Sequence, residues 1–258
     1  MTSFPFTSAL VTGASSGIGE AMVHALSAAG VPVVVVARRK DRLDDLAARH
    51  SGIEVMVADL GTTEGLALVC ARIADAARPL DLVVNNAGFG TSGAFDTLDP
   101  DRLHDEIALN VQALTRISHA ALSMMLPRGR GHLLNVSSVV SFQPAPKLAV
   151  YAATKAYVTS LTESLHEEVR GSGVQVTALC PGLTRTEFQG VSSTESYAGE
   201  YPAFAWLTAE EVALGGLRDV ARGKALSVPG VLYKGLVAAV GVTPRGLTRR
   251  LSSLVQRD

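Results

Sequence analysis

The chain is poor in the residues that mark several specialised classes of protein. Only two of its 258 residues are cysteine and six are histidine, too few and too dispersed for a disulfide framework or a zinc site. We therefore interpret Cys70 and Cys180 as small buried hydrophobic residues and expect no bound metal. Lysine and arginine total 23 against 24 aspartates and glutamates. Nucleic-acid binding favours a strongly basic surface, so this balance argues against it.

Long apolar runs and export signals are lacking as well. No uninterrupted apolar stretch approaches the ~20 residues that cross a bilayer. The N-terminal region around Phe4-Pro5-Phe6 lacks the basic and apolar parts of a secretory signal, and we expect a cytoplasmic protein. Aromatic residues make up only 5%, whereas hydrophobic residues make up 47%, as is typical of a parallel sheet covered by helices. The length suits a single domain over residues 1–258, because single cores stop growing at roughly 250–300 residues.

Short apolar segments alternate with longer helical segments along most of the chain. Val33 to Val36 are apolar at every position, which predicts a strand buried on both faces. Asp99-Pro100 predicts a helix start, and Thr208 with Glu211 predicts a capping box. Repeated β-α units predict an α/β fold, a Rossmann-type doubly wound parallel sheet of about seven strands with helices on both faces. The predicted strands are Ala9 to Val11, Val33 to Ala37, Glu54 to Val57, Leu82 to Asn85, His132 to Val136, Val174 to Leu179 and Ala225 to Val228, and the predicted helices include Gly17 to Ala29, Arg39 to His50 and Arg102 to Met125.

A glycine-rich loop follows the first predicted strand and opens the first predicted helix. It reads Thr12-Gly13-Ala14-Ser15-Ser16-Gly17-Ile18-Gly19. Glycine permits the sharp turn and the close approach of a phosphate, and the helix N-terminus offers free N–H groups to it. The loop predicts a dinucleotide site that includes Gly13 and the five residues from Ser15 to Gly19. Taken alone, it is also compatible with a tight turn that binds nothing.

Two arginines occupy the place that decides between the two nicotinamide cofactors. An acidic residue at the end of the second strand often binds the adenosine ribose, but here that place holds Ala37, followed by Arg38 and Arg39. Arginine can bind a 2′-phosphate through its planar fork of donors. We therefore expect NADP(H) to be favoured over NAD(H), with Arg38 as the main contact. The alternative is that both arginines are solvated surface residues.

Tyr151 and Lys155 are four residues apart at the start of a predicted helix. This spacing places them on one helical face, where both can act on one ligand. A tyrosine has an ordinary pKa of about 10, and a nearby ammonium should lower it. The pair could then exchange a proton with a carbonyl or alcohol oxygen. Such a pair alone is also common on protein surfaces.

Taken together, residues 7 to 228 resemble the short-chain dehydrogenase/reductase family. The resemblance rests on the glycine loop, on Tyr151-x-x-x-Lys155 and on four further elements in the family's order. Those four are Asn85-Asn86-Ala87-Gly88, Asn110, Ser137-Ser138 and Pro181-Gly182.

The resemblance implies a role for each matching residue. Tyr151 would be the general acid/base, Lys155 would hold the nicotinamide ribose, and Ser138 would hydrogen-bond the substrate oxygen. Asn110 would bind a water that links Lys155 to solvent, although a helix-interior side chain bonding backbone is the alternative. The neighbouring Ser137 has only a flanking position. The remaining implied cofactor contacts are Asn86, Ala87 and Gly88 beneath the cofactor, Asp59 and Leu60 at the adenine, and Pro181, Gly182, Leu183, Thr184 and Thr186 around the nicotinamide and pyrophosphate.

The resemblance implies that residues 187–207, called the lid segment below, form the family's variable segment over the substrate. The aromatic residues in this segment could line an apolar pocket or could hold the segment against the body of the protein. We expect a small-molecule carbonyl or alcohol substrate, with a hydrophobic ketone, aldehyde or acyl compound favoured. The aromatic residues are Tyr197, Tyr201, Phe204 and Trp206.

The chain extends beyond the last predicted strand by residues 231–258. This extension holds an apolar run, Leu236 to Val242, and then four arginines. We expect a helix that packs on its own domain or on another subunit, and reversible attachment to a membrane surface is the alternative. A homodimer or homotetramer is expected, with a dimer through the helices that bear Asn110 and Tyr151.

Two other functions fit the same fold. One is a dinucleotide-sensing regulator without catalysis, which would not need Ser138, Tyr151 and Lys155. The other is an epimerase or dehydratase that keeps its cofactor tightly bound.

Overall fold

A seven-stranded parallel sheet forms the centre of the protein. The structure, a computed structural model, describes residues 3–192, 201–243 and 246. The strand order is β3-β2-β1-β4-β5-β6-β9, and every pairing in the sheet is parallel. The predicted fold class and all seven predicted strands are confirmed. The strands are β1 (Ala9–Thr12), β2 (Val33–Ala37), β3 (Ile53–Val57), β4 (Leu82–Asn85), β5 (Gly131–Val136), β6 (Val174–Leu179) and β9 (Leu226–Ser227), and two further strands, β7 (Thr184–Arg185) and β8 (Leu207–Thr208), pair separately.

Helices cover both faces of this sheet. Because successive side chains of a strand point to opposite faces, the buried apolar residues form one cluster on each face. Val11 and Val35 contribute to an apolar cluster on one face, and their neighbours Leu10 and Val34 contribute to a second cluster on the other. The four residues Val33 to Val36 are all buried, as predicted. The helices are α1 (Gly17–Ala28), α2 (Lys40–Arg49), α3 (Thr63–Ile73), α4 (Pro100–Ile107), α5 (Leu114–Met125), α6 (Ala149–Glu168), α7 (Phe188–Val191), α8 (Ala209–Ala221) and α9 (Val231–Val242).

Local sequence determines where two of these helices begin. Asp99 accepts a hydrogen bond from the Asp101 N–H at 3.1 Å, and Pro100 occupies the first turn of α4. At α8 the Thr208 hydroxyl accepts from the Glu211 N–H at 3.1 Å, and the Glu211 carboxylate accepts from the Thr208 N–H at 2.9 Å. Both predicted helix starts are confirmed.

The predicted single helix over Arg102 to Met125 is wrong in its middle. A π-helical segment, Ala108–Ala113, separates α4 from α5. Such segments shift the hydrogen bonding from i+4 to i+5 and frequently lie at functional sites. Apolar periodicity did not show it, because the sequence remains helical throughout. Asn110 lies within this segment and is buried.

The ends of β1 and β4 meet where the strand order reverses. The Thr12 hydroxyl accepts hydrogen bonds from the N–H groups of Asn86 and Ala87 at 3.0 and 3.1 Å and donates to the Val84 carbonyl at 3.2 Å. In open α/β sheets, ligands bind outside the carboxyl ends of the strands at such a reversal. The loops that follow β1 to β6 therefore form the candidate site.

The expected helix in the C-terminal extension is present as α9, over Val231–Val242. Tyr233 is buried against its own domain, while Val231, Leu232, Leu236 and Val242 are exposed. Residues 247–258 lie outside the described part of the chain, so the predicted basic attachment segment stays a prediction. Across residues 3–192 and 201–243, the helices are too short or too polar to cross a membrane.

Candidate active site

The glycine loop is held tightly against the end of β4. Gly13 and Gly17 have φ angles of +65° and +59°, which side chains other than glycine rarely adopt. A Cβ on Gly13 would lie 2.8 Å from the Asn86 Nδ2, and one on Gly19 would lie 2.5 Å from the same atom. Asn86 donates from Nδ2 to the carbonyl oxygens of Thr12 and Gly13 at 2.9 and 3.2 Å. The loop is therefore both a tight turn and a backbone surface that a phosphate can approach.

The N-terminus of α1 has the chemistry of an anion site. Ser16 occupies the N-cap position, but its side chain makes no capping hydrogen bond to the helix. The free N–H groups and the positive end of the helix dipole then point out of the loop. A dinucleotide pyrophosphate fits these groups, with Gly13 and the residues Ser15 to Gly19 around it.

The two arginines after β2 lie in different surroundings. Arg38 is 75% exposed, and its Nη1 lies 3.8 Å from an Asp59 carboxylate oxygen. Arg39 reaches back to the glycine loop and donates to the hydroxyls of Ser15 and Ser16 at 3.0 and 2.8 Å. Arg38 is thus the arginine with the freer guanidinium, while Arg39 touches the loop directly.

The predicted adenine contacts lie at the end of β3. Asp59 accepts a hydrogen bond from the Gly61 N–H at 2.9 Å and keeps its second carboxylate oxygen near Arg38. Leu60 is buried. Asp59 and Arg38 thus lie side by side, and their contacts with the cofactor stay predictions.

Ser138 and Tyr151 lie close together beside the ends of β5 and β6. Ser138 is buried and caps the short turn Val139–Phe142 by accepting from the Val140 N–H at 3.3 Å. Burial raises the pKa of Tyr151 above its ordinary value, the Ser138 hydroxyl opposes the rise, and the Glu106 carboxylate adds to it. The expected lowering of this pKa by Lys155 is wrong for the structure described, because the shift is upward and burial is its largest cause.

Lys155 is buried one turn after Tyr151 on α6. Its Nζ donates to the Val136 carbonyl oxygen at 2.8 Å and lies 5.7 Å from the centre of the Tyr151 ring. The ammonium therefore faces the ring and the end of β5. Burial lowers the pKa of Lys155 to about 8, and the interactions with Cys180 and Glu106 oppose this shift.

The Asn110 side chain is fully engaged with protein groups. Its Nδ2 donates to the Phe89 carbonyl at 2.7 Å and to the Thr154 hydroxyl at 3.1 Å, and its Oδ1 accepts from the Phe89 N–H at 3.2 Å. A Cβ on Gly88 would lie 2.8 Å from that Oδ1 and 3.6 Å from the Lys155 Nζ. Asn110 thus positions the loop after β4 beside Lys155, and its part in a proton relay stays a prediction.

Ser137 does not take part in the Tyr151 contact. Its hydroxyl donates to the Lys155 carbonyl at 2.8 Å and lies 2.7 Å from the Thr159 hydroxyl. Ser137 therefore ties α6 to β5, which agrees with the flanking position expected for it.

The loop after β6 closes the opposite side of the site. Pro181 accepts from the Val139 N–H at 3.0 Å, and the Thr184 hydroxyl donates to the Gly182 carbonyl at 2.9 Å. The Thr186 side chain faces the glycine loop, because a Cβ on Gly17 would lie 3.1 Å from it. The implied nicotinamide and pyrophosphate contacts, Pro181, Gly182, Leu183, Thr184 and Thr186, thus lie across from the α1 N-terminus.

The start of the lid segment contacts Tyr151. The Phe188 ring lies 5.6 Å from the Tyr151 ring, and the Ser192 hydroxyl accepts from the Gly90 N–H at 3.0 Å. Of the aromatic residues expected to line a pocket or to hold the segment, Phe204 is largely exposed and Trp206 is half-buried. Tyr197 lies outside the described residues.

Comparison with known proteins agrees with this arrangement. The sequence profile of the short chain dehydrogenases matches residues 7–196, which is most of the chain. The protein belongs to this family.

Several proteins with known sequences or structures are similar to this chain. An uncharacterized oxidoreductase of Myxococcus xanthus is 37% identical over 197 residues, covering 75% of this chain and 78% of its own. A short-chain dehydrogenase from Sphingobium yanoikuyae, solved in complex with NADPH, is 33% identical over 95% of both chains with a TM-score of 0.83. A bulky-bulky ketone specific alcohol dehydrogenase from Comamonas testosteroni is 30% identical, with a TM-score of 0.77 over 93% of this chain and 95% of its own.

Sequence reasoning missed Glu106, an acid buried beside the site of this short-chain dehydrogenase. Its side chain is 0% exposed, and neither carboxylate oxygen has a hydrogen-bond partner of good geometry among the described residues. Burial raises the pKa of Glu106, while Thr91, Lys155 and Arg102 oppose the rise. The available signal was an acid one helical turn before Asn110, and its burial depends on contacts that the sequence does not show.

Tyr233 was missed as well, and it joins the C-terminal extension to the site. Its ring packs directly on Gly182, where a Cβ would overlap ring atoms. Its hydroxyl accepts from the Leu183 N–H at 3.0 Å and donates to the Ala205 carbonyl at 2.7 Å. One side chain of α9 therefore connects the loop after β6 with the end of the lid segment.

We expect Glu106→Gln to move the alkaline limb of the pH–rate profile of the oxidoreductase reaction to lower pH. The Glu106 carboxylate raises the pKa of both Lys155 and Tyr151, so its removal lowers both. Because the folded-state pKa of Glu106 is itself raised, its stabilising contribution is present below its unfolded pKa and lost as the pH rises. The variant should therefore gain in melting temperature over wild type at neutral pH but not at acidic pH.

The control for Glu106 is Glu168→Gln, an exposed acid at the far end of α6. An unshifted profile in the Glu106 variant, or an equal shift in the control, would contradict this assignment.

We expect Tyr233→Phe to destabilise the protein by about 1–3 kcal/mol, because it leaves the Leu183 N–H and the Ala205 carbonyl without their partner. Urea denaturation measures this change. Tyr157→Phe is the matched control, since the Tyr157 hydroxyl bonds Thr115 in an exposed pair and its loss should cost little. Equal stability losses in both variants would show that the buried bonds of Tyr233 have no special weight.

Proposed function

We propose that the protein is an NADP(H)-dependent oxidoreductase that interconverts a carbonyl and an alcohol, with Tyr151 as general acid/base. One arrangement carries this proposal: Ser138 and Tyr151 lie together at the sheet edge that also holds the uncapped N-terminus of α1. A proton donor and a phosphate-binding helix end thus face the same cleft. The residues present fit a nicotinamide dinucleotide, which supplies the hydride when bound.

Tyr151 carries the proton in this mechanism. Its raised pKa keeps the phenol protonated at neutral pH, which suits donation to a carbonyl oxygen as that oxygen gains negative charge. The Ser138 hydroxyl can hydrogen-bond the same oxygen and stabilise the charge that develops on it. In the reverse direction, oxidation of the alcohol requires removal of the phenolic proton so that Tyr151 can accept the proton of the alcohol.

Lys155 and Asn110 prepare the other side of the cleft. The Lys155 ammonium, buried beside Gly88, is placed to hold the ribose of the cofactor. Asn110 orients the loop after β4 through its two hydrogen bonds with Phe89. These residues bind and orient, and the proton passes through Tyr151.

A hydrophobic ketone, aldehyde or acyl compound is the proposed substrate class. Phe188 and the half-buried Trp206 supply apolar surface at the start and end of the lid segment. The Comamonas relative, which is specific for bulky-bulky ketones, supports this class. A screen of NADPH oxidation across ketones, aldehydes and acyl thioesters identifies the substrate, and net consumption of NADPH separates a reductase from a sensor or an epimerase.

A homodimer is the proposed assembly. Phe95, Ile107, Val111, Val150 and Ala153 line an apolar groove on the outer side of α4, the π-helical segment and α6. Phe95 and Ile107 are exposed. Exposed apolar surface of this kind normally marks an interface between proteins. The groove lies on the helices that bear Asn110 and Tyr151.

Tyr151→Phe should lower kcat by at least about 10²- to 10⁴-fold, the usual contribution of a positioned general acid. The ring contact with Phe188 remains, so the Kd for NADPH should stay within about twofold of wild type. Tyr157→Phe, on the same helix but outside the cleft, is the control. A Tyr151 variant that kept most of its activity would refute the assignment.

The cofactor preference gives a separate test. A charge-assisted bond from Arg38 to a 2′-phosphate is worth about 1.5–3 kcal/mol, so kcat/KM should be about 10- to 100-fold higher with NADPH than with NADH. Arg38→Gln should remove most of that difference. Equal or better turnover with NADH in the wild-type enzyme would show that the preference is wrong.

A further inference from the structure

The Glu187 carboxylate lies between two arginines at the mouth of the glycine loop. One of its oxygens is 2.9 Å from the Arg39 Nη1, and the other is 3.0 Å from the Arg42 Nη1. All three side chains are partly exposed. The two arginines hold the pKa of Glu187 below its ordinary value, so the carboxylate is ionised at neutral pH.

Arg39 uses its donors on this carboxylate and on the loop itself. Its Nε and Nη2 donate to the Ser15 hydroxyl at 3.2 and 3.0 Å, and its Nη2 also reaches the Ser16 hydroxyl at 2.8 Å. These serines belong to the loop that would receive the phosphates of a dinucleotide. The guanidinium therefore lies over the phosphate-binding surface, with a carboxylate attached to it.

The neighbouring Thr186 fixes where Glu187 stands. The Thr186 side chain touches Gly17 across the loop, and its hydroxyl accepts from the Phe188 N–H at 3.2 Å. The Glu187 backbone is thereby held beside the N-terminus of α1. A carboxylate here and a phosphate on the same arginines would repel each other, and one must displace the other.

We propose that Glu187 is an internal competitor for the phosphate groups of the cofactor and so determines the affinity for NADP(H). The inference rests on the proposed function. It adds an acidic residue, Glu187, to a site where basic residues are expected to bind phosphate. Binding exchanges the carboxylate on Arg39 and Arg42 for a phosphate, and the Glu187 side chain moves into solvent. Glu187 therefore weakens cofactor binding in the wild-type protein.

The test is calorimetric titration of wild type and Glu187→Gln with NADPH, NADH, 2′,5′-ADP and AMP. Because exposed ion pairs are individually weak, we expect the Kd for NADPH to fall about three- to tenfold in the variant. A gain with NADPH and 2′,5′-ADP but not with NADH and AMP identifies the 2′-phosphate as the displacing group. Equal gains with NADPH and NADH identify the pyrophosphate, and both results support the proposal. Unchanged or weaker binding of every ligand overturns it.

Glu168→Gln is the matched control, because it makes the same change of charge at the exposed end of α6, before β6, whereas Glu187 follows β6. The Kd of Glu168→Gln for NADPH should equal that of wild type. If its affinity rises as much as that of Glu187→Gln, the effect comes from net charge alone, and the proposed competition is overturned.

A double-mutant cycle with Arg39→Gln tests the route of the effect. In that background Glu187→Gln should change the Kd for NADPH less than in wild type, and an undiminished effect overturns the proposed competition at Arg39. These measurements need no turnover. If the wild-type protein binds no dinucleotide, the proposed function fails too, whereas binding that Glu187→Gln leaves unaltered removes this inference alone.

Discussion

The buried hydroxyl of Thr12 holds together the point on which the rest of the site depends. It receives the N–H groups of Asn86 and Ala87 and gives its own proton to Val84. The end of β1 is thereby locked to the end of β4 where the order of the strands reverses. The glycine loop, the loop after β4 and the first turn of α1 take their positions from this junction. These bonds join a buried hydroxyl to backbone groups, so the geometry of the loops does not rely on the long and exposed side chains around them.

Burial controls the chemistry more strongly than pairing does. A lysine placed one turn from a tyrosine suggests a phenol with a lowered pKa, but removal of water from Tyr151 has the larger effect here, and Glu106 acts in the same direction. The same desolvation lowers the pKa of Lys155 to about 8. Glu106 acts on both Tyr151 and Lys155 through a buried region of low dielectric constant, and it raises the pKa of each. The protonated phenol is the natural state of such a cluster.

The order of strands and helices was predictable because each rests on local patterns. Four consecutive valines, Val33 to Val36, predict a buried strand, and Thr208 with Glu211 predicts a helix start. The residues of the site were predictable from the resemblance, which attaches Tyr151, Lys155, Ser138 and Asn110 to family motifs. Their roles in catalysis and cofactor binding stay proposals. What could not be predicted depends on contacts between distant segments. Glu106 looks like a surface acid until α6 covers it, and nothing near Tyr233 in sequence indicates that its hydroxyl lies between Leu183 and Ala205, some 50 and 28 residues away.

The π-helical segment around Asn110 changes the direction in which the residues after it face. Successive residues of an α-helix are rotated by about 100°, so one turn with an extra residue rotates everything after it by about that angle. Glu106 and Asn110 can therefore face the site while Ile117 and Met125, farther along, face the core. An uninterrupted α-helix of the same composition would have to give up one of these two orientations. Because of the extra residue, the residues before it can face the site while those after it face the core. An insertion or deletion in this segment would therefore change one of the two orientations.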